Sequence, residues 1–115
     1  MKINNRQLGT KWEKAAVDFL RDQGYIILEK NYRCRAGEID IIARDADILC
    51  FVEVKYRKSC KYGSAVEAVG ASKQRIIRFV ARDYLFRRRV NVNTQCRFDV
   101  VGFDFGELCL IKNAF

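Results

Sequence analysis

The feature that most constrains the fold of this chain is a set of charges inside two apolar segments: Asp40 in the first, and Glu53 and Lys55 around Val54 in the second. Side chains alternate between the two faces of a strand, so Glu53 and Lys55 point to one face and Val54 to the other. Charged groups in strands rich in Ile, Val and Phe are costly to desolvate without partners. The pattern therefore predicts two adjacent strands that bring these charges together for a function.

The turn between the two strands decides whether the acids can meet. If Asp40 pairs with Phe51 in a hairpin, it lies diagonally beside Glu53, within reach of a shared ion. A turn of two or four residues pairs Asp40 with an odd-numbered residue and so places it on the same face as Glu53. A turn of three residues would place the two acids on opposite faces. We therefore expect a two- or four-residue turn around Asp45-Ala46-Asp47.

Two carboxylates at this spacing suit a hard divalent cation. Mg²⁺ or Mn²⁺ takes oxygen ligands and keeps several waters, so Asp40, Glu53 and the backbone carbonyl of Val54 would suffice as metal ligands. A bound ion would activate a water and neutralise phosphoryl charge, while Lys55 would orient the nucleophile. The alternative is a surface salt bridge on an exposed hairpin, and the spacing alone favours neither.

Three further acids could act beside Asp40 and Glu53 or have structural roles. Glu13, in the first predicted helix, could reach a metal through water, or it could be an acid of the first turn that the helix dipole stabilises. Glu38 shares the strand face of Asp40 and is an alternative ligand. Asp99, in a later strand, is expected to pair with a basic neighbour and to have a structural role.

Composition limits the classes of chemistry and partner. The chain has 115 residues, 22 Lys and Arg against 14 Asp and Glu, and no histidine, which gives a net charge of +8. This charge favours a polyanionic partner such as nucleic acid. The lack of histidine excludes Ser-His-Asp hydrolases and histidine-ligated metals, so carboxylates and lysine must carry any chemistry. No apolar run approaches a membrane span and the start lacks a signal-peptide pattern, which predicts a cytoplasmic protein without a membrane partner.

Periodicity and breaker residues predict seven elements. Helices are expected at 10–23 and from 72 to about 86, and strands at 25–30, 38–44, 48–56, 95–103 and 107–111. Ser72 is expected to cap the second helix, and basic loops are expected at 31–37 and 57–63. The order αβββαββ predicts one α/β domain over 1–115, with a mixed β-sheet flanked by helices.

The second predicted helix carries several cations. Arg75, Arg78 and Arg82 are expected opposite its apolar face, where they could follow phosphates, although a solvated helix face is an equally good interpretation. Lys73 is predicted on the apolar side at the helix start, pointing toward the acids. The candidate nucleic-acid-binding residues are Arg57, Lys58, Lys73, Arg75, Arg78 and Arg82.

Together these motifs resemble a known family. The match includes Gly9-x-x-x-Glu13, Gly37-Glu38-Ile39-Asp40-Ile41-Ile42, Phe51-Val52-Glu53-Val54-Lys55-Tyr56-Arg57 and Cys96-Arg97-Phe98-Asp99-Val100-Val101. On these residues the chain resembles the bacterial YraN family, small proteins similar to archaeal Holliday junction resolvases. The resemblance implies a restriction-endonuclease-like fold and a PD-(D/E)-x-K type site. In that site Asp40 and Glu53 are metal ligands, Lys55 is the catalytic lysine and Glu13 is an accessory acid. Ile39 stands where the name of the motif has proline.

Three hypotheses follow for the function. The leading one is a Mg²⁺- or Mn²⁺-dependent nuclease that acts on DNA, with branched and single-stranded DNA as candidate substrates and a homodimer left open. The second is a nucleic-acid-binding module that keeps the site without turnover. The third is a protein-interaction domain, which would show neither nucleic-acid binding nor cleavage.

Overall fold

A computed structural model describes residues 5–56, 69–104 and 107–115, with side chains described for 11–55, 69–103 and 107–115. The predicted α/β class and the order αβββαββ are confirmed. The elements are α1 (Asn5–Asp22), β1 (Ile26–Cys34), β2 (Gly37–Asp45), β3 (Ile48–Tyr56), α2 (Ala71–Arg87), β4 (Cys96–Asp104) and β5 (Glu107–Ile111).

The five strands form one mixed sheet in the order β1-β2-β3-β4-β5. The β3–β4 pair is parallel and the other three pairs are antiparallel. Parallel neighbours need a crossover connection, and α2 lies within the connection from β3 to β4. Within the described ranges, neither helix is long and apolar enough to cross a membrane.

Each helix covers its own hydrophobic cluster. The α1 cluster includes Ala16, Leu20, Val52, Val101 and Phe103. The α2 cluster includes Tyr32, Phe51, Ile77, Val80 and Val100. Val52 and Phe51 are neighbours on β3 and fall in different clusters, as the alternation of side chains along a strand requires. The sheet is therefore buried on both faces at its centre.

The prediction of a basic loop at 31–37 is wrong for most of these residues. β1 continues to Cys34, and only Arg35 and Ala36 separate it from β2. The strand is longer because Tyr32 is buried in the core and pairs with Ile39, which holds this basic segment in the ladder. Asn31 lies in the left-handed region, with φ of 55°, a conformation that asparagine tolerates better than most residues.

The start of α2 also differs from the prediction. The helix begins at Ala71 with Gly70 as its N-cap, and no side chain caps it, so Ser72 is a residue of the first turn and not the cap. The predicted apolar face is buried at Ile77, Val80 and two neighbouring positions. The apolar residue next to Ile77, Ile76, is 38 % exposed and lies outside this buried face.

Asp99 is fully buried and lies at the centre of a polar cluster. Its carboxylate accepts hydrogen bonds from Tyr25 Oη (2.8 Å), Arg97 Nε (2.8 Å) and the backbone N–H of Asn113 (2.9 Å). Arg97 also donates to Asp45 at 2.8 Å. The basic neighbour expected for Asp99 is therefore Arg97, and the cluster joins β4 to the α1–β1 connection, the end of β2 and the C-terminal segment.

Replacing Asp99 by asparagine should lower the free energy of unfolding by about 3 kcal/mol, because it leaves the largely buried Arg97 without its main partner. Urea denaturation followed by circular dichroism measures this loss. Glu29→Gln is the matched control: it removes the partner of Arg88 in an exposed pair and should cost less than about 1 kcal/mol. Equal losses in the two variants would contradict the structural role of Asp99.

Candidate active site

The sheet opens where β2 and β3 separate. Their ladder ends at the pair Ile41–Val52. Beyond it, β2 continues along β1 as far as Gly37, and β3 continues along β4 as far as Tyr56. The two central strands thus diverge, and we call this opening the fork. It contains Asp40 on β2 and Glu53, Val54 and Lys55 on β3.

The register of the hairpin differs in detail from the expected one. Phe51 pairs with Ile42 and not with Asp40, so the predicted pairing is wrong. The turn has two residues, Ala46 and Asp47, because Asp45 remains in the strand, where Arg97 and Lys112 hold its carboxylate. Continued past its last pair, the register places Asp40 opposite Glu53. The two acids therefore share a face, directly across the fork.

Asp40 bridges the two strands with its side chain. The backbone N–H of Val54 donates to Asp40 Oδ2 at 2.8 Å. The carboxylate thus takes the place of the backbone carbonyl that would accept this hydrogen bond in a continued ladder. The N–H and C=O of one residue point to the same side of a strand. The carbonyl of Val54 therefore faces the fork as well, where it can serve as a ligand.

The two carboxyl groups in the fork are close together, with Glu53 buried and Asp40 half-buried. Burial raises the pKa of Asp40 to about 6, and the hydrogen bond from Val54 offsets part of this effect. Burial also raises the pKa of Glu53 to about 7, with the charge of Asp40 as the next cause. Removing water disfavours the ionised forms, and like charges add to the effect. The pair therefore resists full ionisation unless a cation joins it.

Two lysines place positive charge at the same point. Lys73, in the first turn of α2, has its Nζ 4.0 Å from Glu53 Oε1. Lys73 and Lys55 both lower the pKa of Glu53, and Lys73 also lowers that of Asp40. The sequence predicted Lys73 on the side of α2 that faces the acids, and the structure places it there.

Glu13 approaches the fork from α1. Asn31 Nδ2 donates to Glu13 Oε1 at 2.6 Å. Asn31 lies between the pairs Lys30–Ile41 and Tyr32–Ile39, level with Asp40 on the neighbouring strand. The charge of Glu13 is one of the causes that raise the pKa of Asp40. Glu13 therefore lies near enough to act on Asp40 electrostatically, while Asn31 holds its side chain.

Glu38 lies on the same strand as Asp40 and is paired elsewhere. Its carboxylate accepts from Arg33 Nε in a close ion pair. Its charge nevertheless raises the pKa of Asp40. A role of Glu38 as a ligand would require it to exchange Arg33 for a metal ion.

The donor set of the fork fits one kind of metal better than others. In the described ranges, no three Asp, Glu or Cys side chains gather into a metal-binding group. Two carboxylates and a carbonyl are too few for a closed protein cage. They suit Mg²⁺ or Mn²⁺, since Mg²⁺ keeps several waters and binds through one or two carboxylates together with substrate phosphates.

The remaining predicted basic residues divide into three groups. Arg75 and Arg82 are exposed on α2. Arg78 is also exposed, as expected, and its guanidinium lies 5.1 Å from the ring centroid of Phe98 and 5.5 Å from that of Phe115. A cation over aromatic faces is attracted by their quadrupoles, so these two rings hold the guanidinium. Arg57 and Lys58 lie outside the described residues.

Two features of the site were not assigned from the sequence. Asn31 had no predicted role, because it was placed in a loop and not inside β1, where an asparagine indicates unusual backbone geometry. The exposed aromatic residues Phe79 and Phe86 on α2 were also not considered, and their spacing along the helix is a readable signal.

Fold and fork together define a small mixed α/β protein with a half-buried aspartate, a buried glutamate and two lysines at the point where two strands separate. The sequence model of the uncharacterised protein family UPF0102 matches residues 12–103. The chain belongs to this family, which confirms the resemblance to the YraN family.

Relatives match over nearly the whole chain. A UPF0102 protein of Lachnoclostridium phytofermentans is 49 % identical over 113 residues, covering 98 % of this chain and 96 % of the relative. One of Acetivibrio thermocellus is 48 % identical, covering 99 % and 95 % of the two chains. One of Caldicellulosiruptor saccharolyticus is 44 % identical, covering 98 % and 100 %.

Proposed function

We propose that this protein is a metal-dependent nuclease that cleaves phosphodiester bonds in DNA. The observation that carries the proposal is the fork, where Asp40 and Glu53 face each other, largely buried, with raised pKa values. Strongly perturbed carboxylates in a cleft are typical of functional sites. A purely structural pair of acids would gain nothing from this desolvation.

Each residue of the fork has a role in this proposal. Asp40, Glu53 and the Val54 carbonyl would hold the ion, which would supply positive charge for the phosphoryl transition state and for the attacking water. Lys55 orients that water with its ammonium group and adds positive charge. Glu13, held by Asn31 on the α1 side, accepts through a bridging water the proton that the attacking water loses, and the leaving oxygen takes a proton from solvent. Lys73 neutralises part of the acid pair in the absence of the ion.

Charge supports the choice of substrate class. The chain carries a net charge of +8, and a polyanion placed at the fork would meet Lys73 and the exposed arginines of α2. Cations of this kind contact phosphates without reading sequence. The resemblance to resolvase-like nucleases favours DNA over RNA, with branched and single-stranded forms as the substrates to test.

A cleavage screen tests the proposal. The wild-type protein is incubated with duplex, flap, four-way-junction and single-stranded DNA in Mg²⁺, in Mn²⁺ and in EDTA. We expect cleavage of at least one substrate with metal and none in EDTA. Glu53→Gln, purified in parallel, should be inactive, which excludes a contaminating nuclease. If the wild-type protein binds these substrates but cuts none with either metal, a binding module without turnover replaces the nuclease proposal.

A further inference from the structure

The outward face of α2 carries a row in which arginine and phenylalanine alternate. Arg75, Phe79, Arg82 and Phe86 follow at steps of four, three and four residues, which keeps them on one side of a helix with 3.6 residues per turn. We call these four residues the Arg–Phe stripe. It lies opposite the buried face of the helix, and Phe79 is 58 % and Phe86 85 % exposed.

Folding does not account for two exposed phenylalanines in one row. A side chain that stays in water contributes little burial energy, and contiguous exposed apolar surface marks binding sites. Each phenylalanine also lines a surface hollow together with arginine. Phe79 and Arg75 line a hollow of about 360 Å³ near the β1–β2 turn. Phe86 and Arg82 line one of about 580 Å³, to which Arg89 also contributes.

The charge of the stripe has a single sign. The only acid in α2, Asp83, lies off the stripe, where it accepts hydrogen bonds from Tyr32 and Arg87. A second copy docking through the same stripe would place arginines against arginines. A polyanion is complementary to the arginines of the stripe. A polyanion that also carries flat apolar groups would contact the phenylalanines as well.

We propose that the Arg–Phe stripe binds single-stranded nucleic acid. Bases stack on Phe79 and Phe86, and phosphates contact Arg75 and Arg82. Base–aromatic stacking along a cationic track is how proteins hold single strands. Duplex bases are already stacked on each other and cannot reach these rings. The stripe thus favours a strand with exposed bases over a duplex.

The position of the stripe links it to the fork. Lys73, two residues before Arg75, lies 4.0 Å from Glu53 but on the side of α2 that faces the sheet. The stripe and the acid pair therefore meet at the same end of α2, and a strand bound to the stripe reaches the acid pair by passing over the first turn of the helix. This step rests on the proposed nuclease function, because it names the single strand as the substrate class. Binding by the stripe itself requires no metal and no cleavage.

Binding in EDTA tests the inference separately from cleavage. The probe is a fluorescein-labelled oligothymidylate of roughly 16 nucleotides, within the range of sites on single-strand-binding proteins. By fluorescence anisotropy, Phe79→Leu/Phe86→Leu should bind the oligomer about tenfold or more weakly, since leucine keeps the apolar surface but cannot stack. Its affinity for duplex DNA should stay unchanged. Both side chains are exposed, so the melting temperature should not fall.

Arg75→Gln/Arg82→Gln is the matched control. It should weaken binding of single strand and duplex alike, and it should reduce the slope of log affinity against log salt by about 0.7 per arginine on the single strand. The leucine variant should keep the wild-type slope. This contrast separates stacking from charge.

Two results would overturn the inference. The first is wild-type affinity of the leucine variant for the oligomer, and the second is an equal loss of affinity for oligomer and duplex. In the first case, a loss of binding to vesicles of anionic phospholipid would assign the stripe to membrane surfaces. Because the assay contains EDTA, these failures leave the nuclease proposal standing, and absence of cleavage leaves this inference standing.

Discussion

Lys55→Ala should lower the rate of DNA cleavage by about 10²–10³-fold or more, the usual effect of removing one group that stabilises developing charge in a transition state. The substitution removes no ligand oxygen from the fork, so binding of Mn²⁺ should persist. Single-turnover cleavage measures the rate, and isothermal titration measures the affinity for the metal. The lysine should therefore affect the chemical step and leave assembly of the site intact.

Asp40→Asn should affect both quantities. Asparagine can still accept the hydrogen bond from Val54, so the backbone of the fork should persist, but the site loses one of its two anionic ligands. We expect cleavage and Mn²⁺ binding to be lost together. Both variants should lose cleavage, but only Asp40→Asn should lose Mn²⁺ binding. This difference distinguishes the metal ligand from the catalytic lysine.

Lys11→Ala is the control for loss of positive charge. Lys11 is an exposed residue of α1, and its removal lowers the net charge by the same amount as Lys55→Ala. Its cleavage rate should stay close to that of the wild-type protein. If the two lysine variants cleave equally well, Lys55 has no role in the reaction.

The architecture could be predicted because its signals are local. Alternation along β2 and β3, and apolar periodicity in the helices, require only neighbouring residues, so the element order is confirmed. A turn with an even number of residues is enough to place Asp40 and Glu53 on one face of the sheet. The predicted pairing of Asp40 with Phe51 failed because Asp45 stays in its strand through Arg97, a contact across 52 residues.

The fork itself could not be read from the sequence. It exists because β2 follows β1 while β3 follows β4, and strand pairing of this kind is not local. The contact of Asn31 with Glu13 could not be predicted for the same reason. It depends on the left-handed conformation of Asn31 within β1 and on the position of α1 against the sheet. The contact of Arg78 with Phe115 could not be predicted either, because the two residues are distant in sequence.

The acid pair should make the metal-free protein less stable as the pH rises. In the folded state the pKa values of Asp40 and Glu53 are about 6 and about 7, well above the ordinary values that they regain on unfolding. Between about pH 4 and pH 7 the folded state therefore binds more protons than the unfolded state, so the free energy of unfolding falls. One pKa unit corresponds to about 1.4 kcal/mol, so the total loss is on the order of several kcal/mol.

Other acids act at lower pH and do not obscure this trend. The pKa of Asp45 is lowered by its hydrogen bond from Arg97, and that of Asp83 by its hydrogen bond from Tyr32. Their contributions are lost only as the pH falls below the ordinary carboxyl range. Urea denaturation in EDTA at pH 5 and at pH 8 should therefore show the higher stability at pH 5.

A divalent ion should reverse this trend, since it binds the ionised acids of the folded state. Saturating Mg²⁺ or Mn²⁺, at about 100 times the dissociation constant, should add about 2.7 kcal/mol at pH 8. The gain should be smaller at pH 5, where protons compete. Asp40→Asn/Glu53→Gln should be more stable than the wild-type protein at pH 8 in EDTA and insensitive to metal. Equal stability of the metal-free wild-type protein at both pH values would mean that the pKa values of the acids in the fork are not raised, and the argument for a cation between them would fail.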